Sequence, residues 1–187
     1  MSVAKFPDIV KCEEKEEDED LYWSMLKEAL DITLEKLALM RQEEGKKLAE
    51  DTLKRCDILS DLLDQIERHS ETVVDEYKEK LYSRINEILE NPSIIDENRL
   101  AQEVAIFADK SSITEEIVRL ESHFEQFFIS INSNSDTIGR KLDFIIQEIN
   151  REINTIASKA NSFSIANLAV NMKSEVEKIR EQIQNIE

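Results

Sequence analysis

Gly139-Arg140-Lys141-Leu142-Asp143-Phe144-Ile145-Ile146-Gln147-Glu148-Ile149-Asn150-Arg151-Glu152-Ile153-Asn154-Thr155-Ile156-Ala157-Ser158-Lys159-Ala160 is the stretch that decides the fold. Leu142, Ile145, Ile146, Ile149, Ile153 and Ile156 recur at helical spacing and predict one buried apolar seam. At about 100° per residue, Lys141, Glu148, Glu152, Thr155 and Lys159 fall in a line beside that seam. A helix that needed only solubility would not require amides, carboxylates and lysines in that order, so this polar line is where a functional site is sought.

The same pattern extends outward from this helix. Asn161 to Ser164 predicts a turn, after which Ile165, Leu168, Met172, Val176, Ile179, Ile183 and Ile186 form a heptad-like seam able to pack back on the preceding helix. Upstream, Asn132 to Asp136 has loop chemistry. Before it, Ser112-Ile113-Thr114-Glu115 fits a capping box opening a helix with Ile113, Ile117, Leu120, Phe124, Phe127, Phe128 and Ile131 on one face. Asp96 is placed to cap a short helix carrying Leu100, Val104 and Phe107. From Leu21 to about Asn91 no proline occurs, and Pro92 ends the segment. Leu26, Leu30, Leu34 and Leu37 give one apolar face there. Leu59, Leu62, Leu63, Ile66, Val73, Val74, Tyr77, Leu81, Ile85 and Ile88 give a longer stripe, with Gly45 as a candidate bend between the two. The expected architecture is all-α: a long helical hairpin or coiled-coil arm, made of two long helices or one bent one, followed by a smaller bundle of antiparallel helices. Residues 1–20 are assigned to a tail and acidic linker, 21–92 to the arm and 93–187 to the smaller helical domain.

Composition agrees. Two glycines and two prolines among 187 residues, with 35% charged side chains, mark long helices with few turns, and 6% aromatics argue against a β-sandwich or barrel. No apolar run is long enough to span a bilayer, and the N-terminus does not resemble a signal peptide. Cys12 and Cys56 are isolated, which points to reduced thiols in a cytosolic protein rather than a zinc or disulfide pair. A net charge of −17 opposes bulk attraction to nucleic acid. Contact with a phosphate backbone would need a local basic patch, bridging divalent cations, or charge from other chains. There is no glycine-rich phosphate loop, nucleophile elbow or Cys/His dyad, so no nucleotide cofactor is expected.

One constellation carries chemistry. Glu116 and His123 are two helical turns apart and about 20° from each other in projection, flanking the apolar face with Arg119 between them. Glu148 and Glu152 flank the seam of the Gly139 helix at i, i+4. If the two helices pack through their apolar faces, Glu116, His123, Glu148 and Glu152 converge on an oxygen-rich site with one imidazole. That donor set suits Mn²⁺ or Mg²⁺ better than a structural zinc. The competing reading is ordinary surface ion pairing, Glu116 with Arg119 and Glu148 with Arg151. Arg140 and Lys141 at a helix start are placed to meet an anion. Asn150 and Asn154 with Asp143 and Gln147 form a second polar stripe, suited either to RNA sugars and bases or to an inter-helix seam.

These residues carry a family resemblance. The Gly139–Ala160 string is similar to the signature of the YicC/YloC family. So are Arg99-Leu100-Ala101-Gln102-Glu103-Val104-Ala105, Ala108-Asp109-Lys110, Ile113-Thr114-Glu115-Glu116, Arg119-Leu120, Ser122-His123, Met40-Arg41 with Glu44-Gly45, and the ending Glu177–Glu187. The resemblance implies a bacterial, cytoplasmic, divalent-metal-dependent endoribonuclease that acts on RNA as a ring-like or shell-like homo-oligomer, with no membrane association. It also implies a mixed α/β N-terminal domain, of which residues 1–20 would be the tail. On this expectation Glu116, His123, Glu148 and Glu152 form the catalytic and metal site, and Arg119, Arg140, Lys141, Arg151 and Lys159 contact RNA phosphates. Two positions depart from the family pattern: Ser112 stands where Asp is usual, and Ser162-Phe163-Ser164 stands where an acidic residue commonly follows Asn161. The alternative is a non-catalytic helical module for oligomerisation or protein interaction, motivated by the charge and the heptad-like faces.

Overall fold

The computed structural model describes residues 18–88, 96–132 and 138–184. Among the described residues there are five helices, α1 (Glu19–Ile88), α2 (Glu97–Ser111), α3 (Thr114–Ile131), α4 (Ile138–Lys159) and α5 (Phe163–Ile183), and no strand. The all-α expectation holds. Cys12, Asn91-Pro92, most of the Asn132–Asp136 connector and Ile186 lie outside the described residues.

The chain divides into two units, Met1–Glu44 and Gly45–Glu187. In the first, Asp18 Oδ1 accepts from the Leu21 amide at 3.1 Å and caps the start of α1. Leu26, Leu30, Leu34 and Leu37 form the expected stripe, and all four are exposed. Of the two forms expected for the arm, the described residues give one helix: α1 continues through Gly45, where an added Cβ would meet open space.

The second unit holds the core, and its polar pairs fix the helix directions. Glu116 meets Lys159 while Arg119 meets Glu152, so α3 and α4 run antiparallel. Asn154 meets Lys173 and Asp143 meets Arg180, so α4 and α5 are antiparallel too. Thr52 meets Gln182 and Arg55 meets Glu175, which sets α1 antiparallel to α5. Short connections between α3 and α4 and between α4 and α5 favour the antiparallel order of those two pairs. All six residues of the α4 seam are buried, as are Ile165, Met172, Val176, Ile179 and Ile183 of α5. Leu59, Ile66 and Val73 of α1 and Ile113, Ile117, Leu120 and Phe127 of α3 close the core around them. Phe128 is an exception to the expected α3 face and is 55% exposed. Phe127, about 100° away around the helix, is buried as expected.

Helix starts follow the sequence in one case and depart from it in another. Asp96 caps α2 through the Asn98 amide at 3.0 Å, as expected. The capping box at Ser112 does not form: Ile113 is the N-cap of α3 and no side chain caps it. Ser112 instead ends α2 in an extended conformation. Burying Ile113 in the core sets this connection, and Glu115 and Glu116 supply negative charge to the first turn of α3 in place of a cap.

A candidate metal centre between two antiparallel helices

The antiparallel α3–α4 pair turns the two projected stripes into a ladder. At one level, one ligand atom each from His123, Glu148 and Glu152 lies within 4.8 Å of the others. His123 and Glu148 are half-buried, whereas Glu152 is buried. One imidazole nitrogen with two carboxylates in a partly solvated notch is a donor set that fits a divalent cation with water completing its shell.

Cations from the chain surround this cluster. Arg119 reaches across from α3, with Nη1 3.5 Å from Glu152 Oε1, and also pairs with Glu115 on its own helix. Arg151 lies 3.7 Å from Glu148 Oε2. In projection Arg119 and Arg151 were candidates for phosphate contact; here both begin from carboxylates of the site. Arg140 and Lys141 are exposed on the first turns of α4, with no ion pair among the described residues.

Glu116 stands apart from the trio. Its Oε1 accepts from Lys159 Nζ at 2.6 Å, and its Oε2 is buried without a partner. Seven residues separate Glu116 from His123, about 10 Å along the helix axis, so the two share a side of α3 but not a level. At the height of Glu116, antiparallel packing brings Lys159 rather than Glu148 or Glu152. The expected four-residue cluster is therefore three residues together plus a separate ion pair.

Beside the cluster, Gln147, Asn150, Arg151, Asn154, Thr155 and Ser158 line a shallow polar surface. Gln147 donates to Asp143 at 2.8 Å, Asn154 donates to Asn150 at 3.4 Å, and Lys173 of α5 donates to Asn154 at 3.0 Å. The second polar stripe is thus partly an inter-helix seam and partly open.

One polar network had no place in the sequence expectations. On the α1–α5 face, Arg55 bridges Asp51 and Glu175 at 2.9 Å each, Lys178 meets Glu175 at 2.6 Å, and Gln182 bonds both Asp51 and the buried Thr52. The Gln182 amide and the Arg55 guanidinium hold the Asp51 carboxyl below its ordinary value. Lys178, then Arg55, do the same for Glu175 against an opposing effect of burial. The available signal was positional: Thr52, Leu59, Ile66 and Val73 are seven residues apart, and a Thr at the first of these asks for a polar partner.

Comparisons with known proteins agree on a family. The model described as endoribonuclease YicC-like, C-terminal, matches residues 66–187, and that of the YicC-like N-terminal region matches residues 1–50. A protein of Clostridioides difficile named probable endoribonuclease YicC is 65% identical over 187 residues, covering 100% of this chain and 64% of that protein. Its namesake in Haemophilus influenzae is 35% identical over 185 residues, covering 99% of this chain and 62% of that protein. The chain therefore spans a little under two thirds of the length of these relatives.

Proposed function

The chain belongs to the endoribonuclease YicC-like family, and from that premise we propose that the α3–α4 cluster is the centre of a divalent-metal-dependent site that cleaves RNA phosphodiester bonds. The observation that carries the proposal is the convergence of His123, Glu148 and Glu152 within 4.8 Å across two helices. These three residues would hold Mn²⁺ or Mg²⁺, and the bound cation would neutralise charge on the scissile phosphate and make a nearby water or hydroxyl more acidic.

The chain's own groups have distinct roles in this reading. Glu148, half-buried, would hold the cation through one carboxylate oxygen and accept a proton from the attacking oxygen on the other. Glu152, buried and facing Arg119, fixes the inner side of the site. Arg119 and Arg151 approach a phosphate as it displaces them from their carboxylates, and Arg140 and Lys141 contact neighbouring phosphates. Local cations of this kind allow RNA binding by a chain of net charge −17, whose overall field would repel it. Lys159 neutralises Glu116 and holds α3 to α4 beside the site. The proposal includes action on RNA in the cytoplasm by a homo-oligomer. The exposed Leu26, Leu30, Leu34 and Leu37 of the first unit favour a part for that unit in assembly.

The test is cleavage of an end-labelled, hairpin-containing RNA in Mn²⁺ and in EDTA, by this chain and by a full-length relative carrying the same residues. We expect metal-dependent cleavage that Glu148→Gln/Glu152→Gln abolishes. Cleavage that persists in the double variant, or in EDTA, would remove the site from these residues.

A further inference from the structure

A second cleft in the Gly45–Glu187 unit, of about 330 Å³, lies between the C-terminal part of α1, Phe107 of α2 and the α4–α5 turn. Three features of its lining suit an anionic ligand with an aromatic group. Lys80 and Arg84 line one wall at i, i+4. Like Arg140 and Lys141, neither has an ion pair among the described residues, but these two face a common cleft. Two like charges one turn apart repel each other, which is a standing cost in the absence of an anion. Lys80, itself exposed, continues the seven-residue register of Thr52, Leu59, Ile66 and Val73, in line with the buried face of α1.

The second feature is aromatic. Tyr77 and Phe107, both lining the cleft, stack with ring centroids 3.6 Å apart and planes within 5°. The third is the opposite wall, formed by Asn161, in the left-handed region at φ 42°, and Ser162, the N-cap of α5. The Ser162 side chain makes no capping bond, so its hydroxyl is available to a ligand. Glu76 is the one carboxylate in the lining and is engaged by the Thr72 hydroxyl at 3.1 Å.

We propose that this cleft is a second RNA subsite, taking a phosphate of a single strand on Lys80, Arg84 and Ser162 with a base against the Tyr77–Phe107 platform. Cations that track a backbone, beside an aromatic surface, are the chemistry of sequence-tolerant single-strand binding. The inference rests on the RNA-cleaving reading above and extends it. Asn161 lies 9 and 13 residues beyond Glu152 and Glu148, roughly 14 to 20 Å along α4, so the subsite grips the strand away from the bond being cut.

The test is the anisotropy of a labelled single-stranded oligoribonucleotide, in EDTA to prevent cleavage, titrated with the full chain at several KCl concentrations. Lys80→Gln/Arg84→Gln changes exposed positions on a helix and leaves the core intact. We expect its Kd to rise about tenfold and the slope of log K against log salt to fall by about 0.7, the contribution of the one phosphate that the two cations share. If the wild-type chain binds and the Lys80/Arg84 variant binds equally with the same salt slope, the subsite is refuted and the RNA reading stands. If the wild-type chain binds no RNA, both fall.

Discussion

Replacing Lys159 should damage this protein more than replacing the carboxylate it holds. The Glu116 side chain is 5% exposed and the Lys159 side chain 39% exposed, with 2.6 Å between Oε1 and Nζ. Because Glu116 Oε2 is buried and unpartnered, nearly all the compensation for that buried charge comes through Lys159. Removing one partner of a buried ion pair costs about 3–5 kcal/mol, since it strands the other charge. Lys159 keeps contact with water, and that screening reduces the loss for Lys159→Met to about 2–3 kcal/mol. Glu116→Gln removes the buried charge itself, keeps the shape and leaves Lys159 in contact with water, so the cost is one weakened hydrogen bond, about 1 kcal/mol. The double variant Glu116→Gln/Lys159→Met should fall near the Glu116→Gln value rather than at the sum, because the two residues act as one unit.

Urea unfolding followed by far-UV circular dichroism at pH 7, with constant m-values, measures all three variants. If Lys159→Met costs less than Glu116→Gln, Glu116 is not held as a buried ion by Lys159. A second readout bears on the site itself. Saturating Mn²⁺ at about 100 times its Kd stabilises a protein that binds it only when folded by about 2.7 kcal/mol. That increment should survive Glu116→Gln and vanish in Glu152→Gln. Its loss in Glu116→Gln would return Glu116 to the proposed metal centre, where the sequence reading had placed it.

The α1–α5 network and Cys56 make further predictions. Asp51 and Glu175 have folded pKa values below their ordinary 3.8 and 4.5, so the stability they contribute is fully present above those values and is lost as pH falls through the lower folded ones. The free energy of unfolding should therefore drop between about pH 5 and pH 3. Arg55→Met, which removes a cause of both shifts, should flatten that dependence; an unchanged slope would mean that these carboxylates are not coupled to folding through Arg55. Burial pushes the Cys56 thiol up to about 12. Its thiolate fraction at neutral pH is then roughly a thousandfold below that of a thiol at 9.0, and alkylation by iodoacetamide in a Cys12→Ser background should be correspondingly slow until the protein is unfolded. Rapid labelling of the native protein would show Cys56 to be accessible and ionisable.

What the sequence revealed and what it hid divide along the two coordinates of a helix. Azimuth is legible, because 100° per residue is fixed by the backbone: six of six α4 seam residues are buried, and His123, Glu148 and Glu152 meet on the side their projection indicated. Axial level across a helix pair is not legible, because it depends on where the connecting loops let the helices start. The two turns between Glu116 and His123 were legible within α3, but that Lys159, rather than Glu148 or Glu152, stands opposite Glu116 was not. The α1–α5 network was hidden for a related reason, since a polar residue inside an apolar register shows that a partner exists without identifying it. With the levels assigned, the order along α3 and α4 becomes a carboxylate-imidazole cluster, then Arg119, then the Glu116–Lys159 pair. Sign thus alternates along one interface. Strong negative charge over the whole chain then coexists with a cluster of two carboxylates and an imidazole that has Arg119 and Arg151 at its rim, and the proposed capture of a divalent cation followed by an anionic phosphate rests on that arrangement.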